Sequence, residues 1–155
     1  MNKRAQGFLA SRGRRPRHGE RGVTMVEFAI ASTFFIIALF AVIDFGRALF
    51  TYETVAHVAE LGARYAMVRG SQCTWTSCTT TASGVTTYVQ SQAGGLTSAS
   101  LSVTTTWAAS NTCNTSPYNG SGCIVTVSTS YPFKFVTFPF STVTMTGSSQ
   151  MTISQ

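Results

Sequence analysis

Charge is almost absent from the second half of this 155-residue chain: beyond residue 70 the only charged side chain is Lys134, and no carboxylate follows Glu60. A segment without acids has no carboxylate pair for glycoside hydrolysis. A segment with one basic group does not suit a nucleic-acid partner, and none is expected. Histidine is scarce as well, with only His18 and His57. On one continuous helix His57 and Asp44 stand about 20 Å apart, too far for a catalytic triad. No Gly-rich loop is placed between a strand and a helix. No catalytic residue is therefore assigned, and the chain is not expected to be an enzyme. The four cysteines lack the C-x2-C spacing and the histidine company of a zinc site, so neither a metal nor a cofactor is expected. No proline occurs between Arg17 and Pro117, which leaves a long stretch without a helix breaker. There is no fixed-period repeat, which excludes solenoids and propellers. The length suits one modest domain.

What is present falls into three parts. Residues 1–22 hold Lys3, Arg4, Arg12, Arg14, Arg15, Arg17 and Arg21 against Glu20 alone, so the whole formal charge of +6 sits there and the remaining charges cancel. Val23–Ile43 is apolar or small apart from Glu27. Its 21 residues span about 30 Å as a helix, the thickness of a bilayer's hydrocarbon core. The positive residues before it place the N-terminus in the cytoplasm, giving a single pass through a membrane with the C-terminus outside. The helical pattern continues to residue 70 and turns amphipathic. Asp44/Arg47, Glu53/His57 and Glu60/Arg64 are spaced to pair along a helix surface, each contributing about 0.2–0.5 kcal/mol. Ala59, Gly62, Ala63 and Ala66 form a small-residue stripe suited to receive the protein's own sheet, or else another subunit. Gly70 suits a C-terminal cap.

Residues 71–155 contain 36 Ser and Thr, all four cysteines and three of the four prolines. Leu101, Val103, Thr105 and Trp107 alternate with polar residues, as do Val125 with Val127, and Val143 and Met145 with Met151 and Ile153. This period of two predicts three antiparallel strands with their apolar face on the helix. Gly84–Gln92 is read as a short helix and Pro117–Gly120 as a turn. The expected class is α+β, a long N-terminal helix packed on a small sheet. Outside the membrane the cysteines are expected to form disulfides, with three connectivities open. Short loops rich in turn residues favour the local pairs Cys73–Cys78 and Cys113–Cys123. Trp75, Trp107, Tyr118 and Tyr131 suit sugar contacts, although Trp107 and Tyr131 are expected to pack in the core. Asn114-Thr115-Ser116 and Asn119-Gly120-Ser121 fit glycosylation sequons.

The junction Arg21-Gly22-Val23-Thr24-Met25-Val26-Glu27-Phe28 carries the most information. A basic leader ends in Gly, a Glu follows five residues later, and an aromatic opens the apolar run. A carboxylate at that depth is costly and is usually functional or paired. The arrangement resembles the type IV prepilin signal, and its Gly-x4-Glu-aromatic form resembles the tight-adherence (Tad) pilus branch. Glu27-Phe28-Ala29, Asp44-Phe45-Gly46-Arg47, Tyr52, Ala59, Gly62-Ala63-Arg64 and Gly70 are similar in type and spacing to the TadE-like minor pseudopilins. So, more loosely, are Val125-Thr126-Val127, Tyr131-Pro132-Phe133 and Met151-Thr152-Ile153-Ser154. The resemblance implies that a prepilin peptidase cuts between Gly22 and Val23, and that Glu27 and Phe28 act in assembly with other pilin and pseudopilin subunits. It also implies that the product helps initiate or cap an adhesive fibre. Glu27-Phe28 in place of the Glu-Tyr pair common in major Tad pilins, and a mature length of 133 residues, favour a minor subunit. Two other readings stay open. One is a minor pseudopilin of a type II secretion system. The other is a membrane-anchored adhesin or carbohydrate-binding module, for which a signal peptidase would cut after Gly46-Arg47-Ala48 to leave Leu49 first.

Overall fold

The computed structural model describes residues 20–73, 81–136 and 142–154. Helix α1 (Glu20–Met67) is followed by α2 (Ala82–Gln92), a 3-10 turn at Ser98–Ser100, and strands β1 (Ser102–Ala108), β2 (Ile124–Phe133) and β3 (Val143–Thr152). The strands form one antiparallel sheet in the order β1-β2-β3, and the class is α+β. The chain divides into two compact units, Met1–Leu39 and Phe40–Gln155.

Within α1 hydroxyls in the apolar run and beyond it are satisfied locally. Ser32 and Thr33 donate to the Ala29 carbonyl at 3.0 and 2.8 Å, and Thr51 and Thr54 donate to the carbonyls of Arg47 and Phe50. Such back-bonding removes the need for water, which a helix in lipid would lack. The helix ends at Met67, three residues short of the Gly70 expected to cap it. The reason lies at the far end of the chain, where the Ser154 N–H and hydroxyl both donate to the Met67 carbonyl, at 3.1 and 3.4 Å. That carbonyl is thereby satisfied without a glycine cap.

In the unit Phe40–Gln155, the small-residue stripe receives the protein's own core. Ala59, Ala63 and Ala66 are buried, and a Cβ on Gly62 would lie 2.6 Å from a methyl of Val89 and 3.1 Å from one of Val127. Val85 and Val89 of α2, Val125 and Val127 of β2, Leu101 and Ile153 complete this core, with Trp107 and Tyr131 packed half-buried against it. Helix α2 begins two residues before the Gly84 expected from the sequence. The Thr81 side chain accepts the Gly84 N–H at 3.3 Å and caps it.

The strands pair in the register Thr105↔Val127 and Thr129↔Gly147, which puts alternate residues on the two faces as the period of two requires. The outward face is hydroxyl-rich, with Ser128 against Ser148 at 3.2 Å and Gln150 donating to Thr126 at 3.2 Å. Pro132 sits in β2 beyond Ser130, the last residue paired with β1, so its missing N–H breaks no ladder. On the inward face the sheet meets the backbone of α1. The fully buried Thr129 hydroxyl donates to the Val55 carbonyl at 2.9 Å and also faces the Gly147 carbonyl at 3.3 Å. A Cβ on Gly147 would lie 2.8 Å from both the Ala56 Cα and the Val55 oxygen.

A disulfide joins Cys113 to Cys123 across the β1–β2 connection, with Cα atoms 4.8 Å apart. In the chain-entropy account a loop of this length contributes about 2–3 kcal/mol. The Ser110 hydroxyl donates to the Gly122 carbonyl, and the Gly122 and Ile153 amides extend the pairing between this loop and the end of the chain at 2.8 Å each. Cys73 is also disulfide-bonded. Cys78, expected as its partner, lies outside the described residues, as does Trp75.

Because the obstacle at Gly147 is helix backbone and not a movable side chain, Gly147→Ala should destabilise the protein by about 1–3 kcal/mol. Thr129→Val, which keeps the shape and removes one donor, should cost about 1 kcal/mol. Thermal unfolding of the detergent-solubilised chain measures both, and an unchanged midpoint for Gly147→Ala would show that the sheet does not rest on the helix here.

Candidate assembly and processing site

Gly22, Val23, Glu27 and Phe28 all lie on α1 in the unit Met1–Leu39. The helix already begins at Glu20, so the Gly22–Val23 peptide sits in its first turn, where amides have no intrahelical acceptor and unwinding is least costly. Both residues are exposed, and a Cβ on Gly22 would meet nothing within 4 Å. Glu27 stands four residues after Val23, on the same helix face. It is exposed and, among the described residues, has no hydrogen bond or ion pair. Its surroundings are bare apolar side chains: Met25, Phe28, Phe34 and Phe35 are each about 70% exposed or more. This stretch belongs to one N-terminal helix long and apolar enough to cross a membrane, with mean hydropathy 2.4 and none of its most apolar window buried.

Exposed apolar side chains continue past Ile43 to Phe45, Leu49 and Tyr52, and here the helix also carries its charged residues. Asp44 and Arg47 pair as their spacing predicts, but the Asp44 side chain is buried and not on the open helix surface. Asp44 is only 4% exposed. One carboxylate oxygen accepts from Arg47 at 2.8 Å, and the other accepts the Val136 backbone N–H at 3.0 Å. Asp44 thus ties the segment after β2 to the helix, and the Arg47 guanidinium lies 5.5 Å from the Phe133 ring centre. A signal for this burial was present: Asp44 extends the buried series Thr51, Val55, Val58 and Gly62 at helical spacings. Glu60 and Arg64 pair as expected, at 2.6 Å on the exposed face. Glu53 and His57 are exposed and form no pair with each other.

Among the described residues no group of three His, Cys, Asp or Glu side chains is placed to hold a metal ion. The bonded cysteines belong to the unit Phe40–Gln155, so they staple the sheet-bearing part and are not components of the Gly22–Phe28 site.

Residues 22–64 match the family of TadE-like proteins. No curated protein and no solved structure matches the chain. The match begins at Gly22 and contains Val23, Glu27, Phe28, Asp44 and Arg47, and over this stretch the chain is similar to TadE-like proteins.

Within that matched stretch Asp44 can be tested for its holding role. Asp44→Ala leaves the Val136 N–H and the Arg47 guanidinium without their acceptor and should cost about 1–3 kcal/mol. Asp44→Asn retains an oxygen for the amide and should recover part of the loss. Thermal unfolding of the three proteins side by side checks the order.

Proposed function

We propose that the chain is a minor pseudopilin of a Tad-type pilus, inserted in the inner membrane, trimmed by a prepilin peptidase between Gly22 and Val23, and then built into the fibre through its N-terminal helix. The observation that carries this reading is the TadE-like match beginning at Gly22 on a helix whose apolar side chains lie bare around one carboxylate that has no partner among the described residues. Its role is structural and not enzymatic, in initiating or capping the fibre, with the extracytoplasmic part available for adhesion. Cutting after Gly22 removes the +6 leader and creates an α-amino group on Val23 about one helical turn from Glu27. That amine is mostly protonated at neutral pH. In a low-dielectric bundle the Glu27 carboxylate attracts the amine of its own or a neighbouring subunit. A pair between subunits fixes axial register, since a slip would leave two charges unpaired.

The released-adhesin alternative is disfavoured by where its cut would fall. Gly46-Arg47-Ala48 lies inside α1, within the unit that bears the sheet, and cutting there separates Asp44 from the segment it holds. The mature N-terminus decides between the two: Val23 for a pseudopilin, Leu49 for a released domain.

Gly22→Val fills open space and should not disturb the fold, so it should block the cut and leave the precursor at its full mass on a gel. A variant processed like wild type would remove the peptidase from the account. Glu27→Gln should insert and be cleaved normally but lose its association with the other pilins in a pulldown from membranes. Undiminished association would mean that the carboxylate snorkels to the interface and is not the assembly contact.

A further inference from the structure

Lys134, the only charged side chain of residues 71–155, takes no part in the proposed assembly contact. It is exposed and lines a cavity of about 740 Å³ in the unit Phe40–Gln155 together with Ile43, Arg47, Phe50, Tyr131 and Phe133. The sequence brings the chain's one outlying cation to the face of the helix where Arg47 stands. Arg47 is half exposed and is oriented by its carboxylate partner and by the Phe133 ring. The Asp44 side chain is nearly all buried, so its charge is turned inward while the two cations face the cavity. One wall is built by close approach: Gly95 adopts φ +81°, and a Cβ there would come 3.2 Å from the Phe50 ring. A larger residue would narrow the cavity on this side.

Two cations on a rim of aromatic and aliphatic side chains suit a molecule with an anionic head and an apolar body. The position along the helix says which one. Ile43 closes the apolar segment, and Arg47 follows four residues later, about 6 Å along the axis. The polar layer outside a bilayer's hydrocarbon core is about 5–8 Å deep on each side. We propose that this cavity binds the phosphodiester headgroup of an anionic phospholipid from the bilayer that α1 spans. Lys134 and Arg47 contact the phosphate, and Ile43 and Phe50 flank the start of the acyl chains. This rests on reading Val23–Ile43 as the membrane-spanning segment. The site seats the sheet-bearing unit on the lipid surface before assembly, and the lipid must leave or travel with the subunit when the helix leaves the membrane.

The test uses the full-length protein in mild detergent, with native mass spectrometry after addition of dioleoylphosphatidylglycerol or dioleoylphosphatidylcholine. Wild type should retain the anionic lipid in preference to the zwitterionic one. Lys134→Ala should reduce that retention about fivefold, the factor expected for one basic group near an anionic surface, and Lys134→Arg should restore it. Among the described residues Lys134 has no hydrogen bond or ion pair to lose, so the fold should be unaffected. Equal retention by wild type and Lys134→Ala would overturn the proposal. Displacement of the lipid by excess inorganic phosphate would also overturn it, by making the cavity a free-anion site. Release of the protein from membranes by alkaline carbonate would instead overturn the spanning assignment, and with it the lipid as occupant.

Discussion

The point on which the sheet-bearing unit depends is the crossing of α1 by the paired residues Thr129 and Gly147. A helix backbone and a strand backbone approach this closely only where a strand residue has no side chain. They stay together because a buried hydroxyl reaches the Val55 carbonyl. Everything else is arranged around that contact. The stripe Ala59, Gly62, Ala63 and Ala66 continues the close approach along the helix, where the valines of α2 and β2 fill the space its small side chains leave. A core built largely from valine and alanine buries little area per residue, and a small unit of this kind is marginal without covalent help. The disulfide across the β1–β2 connection and the capping of α1 by Ser154 both tie chain ends or loops to that core.

The strands were legible because alternation is a strong signal when the polar partner is nearly always Ser or Thr. The inward set Val103, Thr105, Trp107, Val125, Val127, Met145 and Met151 follows directly from it. Gly147 was not legible as a contact: glycine in a strand weakens the local pattern, and only the helix backbone opposite it shows why no Cβ fits. The burial of Asp44 was not legible locally, for a related reason. An Asp three residues before an Arg is the usual mark of a solvated helix face, and the N–H it holds belongs to Val136, far away in sequence. At the Gly22–Glu27 junction the signal is local instead. A lone carboxylate in an apolar run and a glycine at the end of a basic leader stand out against their neighbours without any tertiary information. The cavity around Lys134 and Arg47 needed the fold, since nothing local joins a residue after β2 to one in the middle of α1.

The scarcity of charge gives the remaining charges their weight. Hydroxyls keep the outer sheet face wetted without creating a long-range field, so contacts made by that face must be decided by shape and hydrogen bonding. Along α1, Glu27 stands immediately before the sixteen uncharged residues Phe28–Ile43, and the Asp44–Arg47 pair stands immediately after them. In the proposed pathway the seven basic residues of the leader hold the precursor on the cytoplasmic side, because drawing them through hydrocarbon is prohibitive. Their removal leaves Glu27 and the new Val23 amine as opposite charges one turn apart. Such a pair is poorly accommodated by lipid and well accommodated by another copy of itself in a bundle. Cleavage then does more than shorten the chain: it converts an end held in the membrane by charge into one whose charges are best satisfied outside lipid. In that pathway the apolar run Phe28–Ile43 still anchors the processed subunit, and Arg47 and Lys134 are the cations available to the polar layer just beyond its other end.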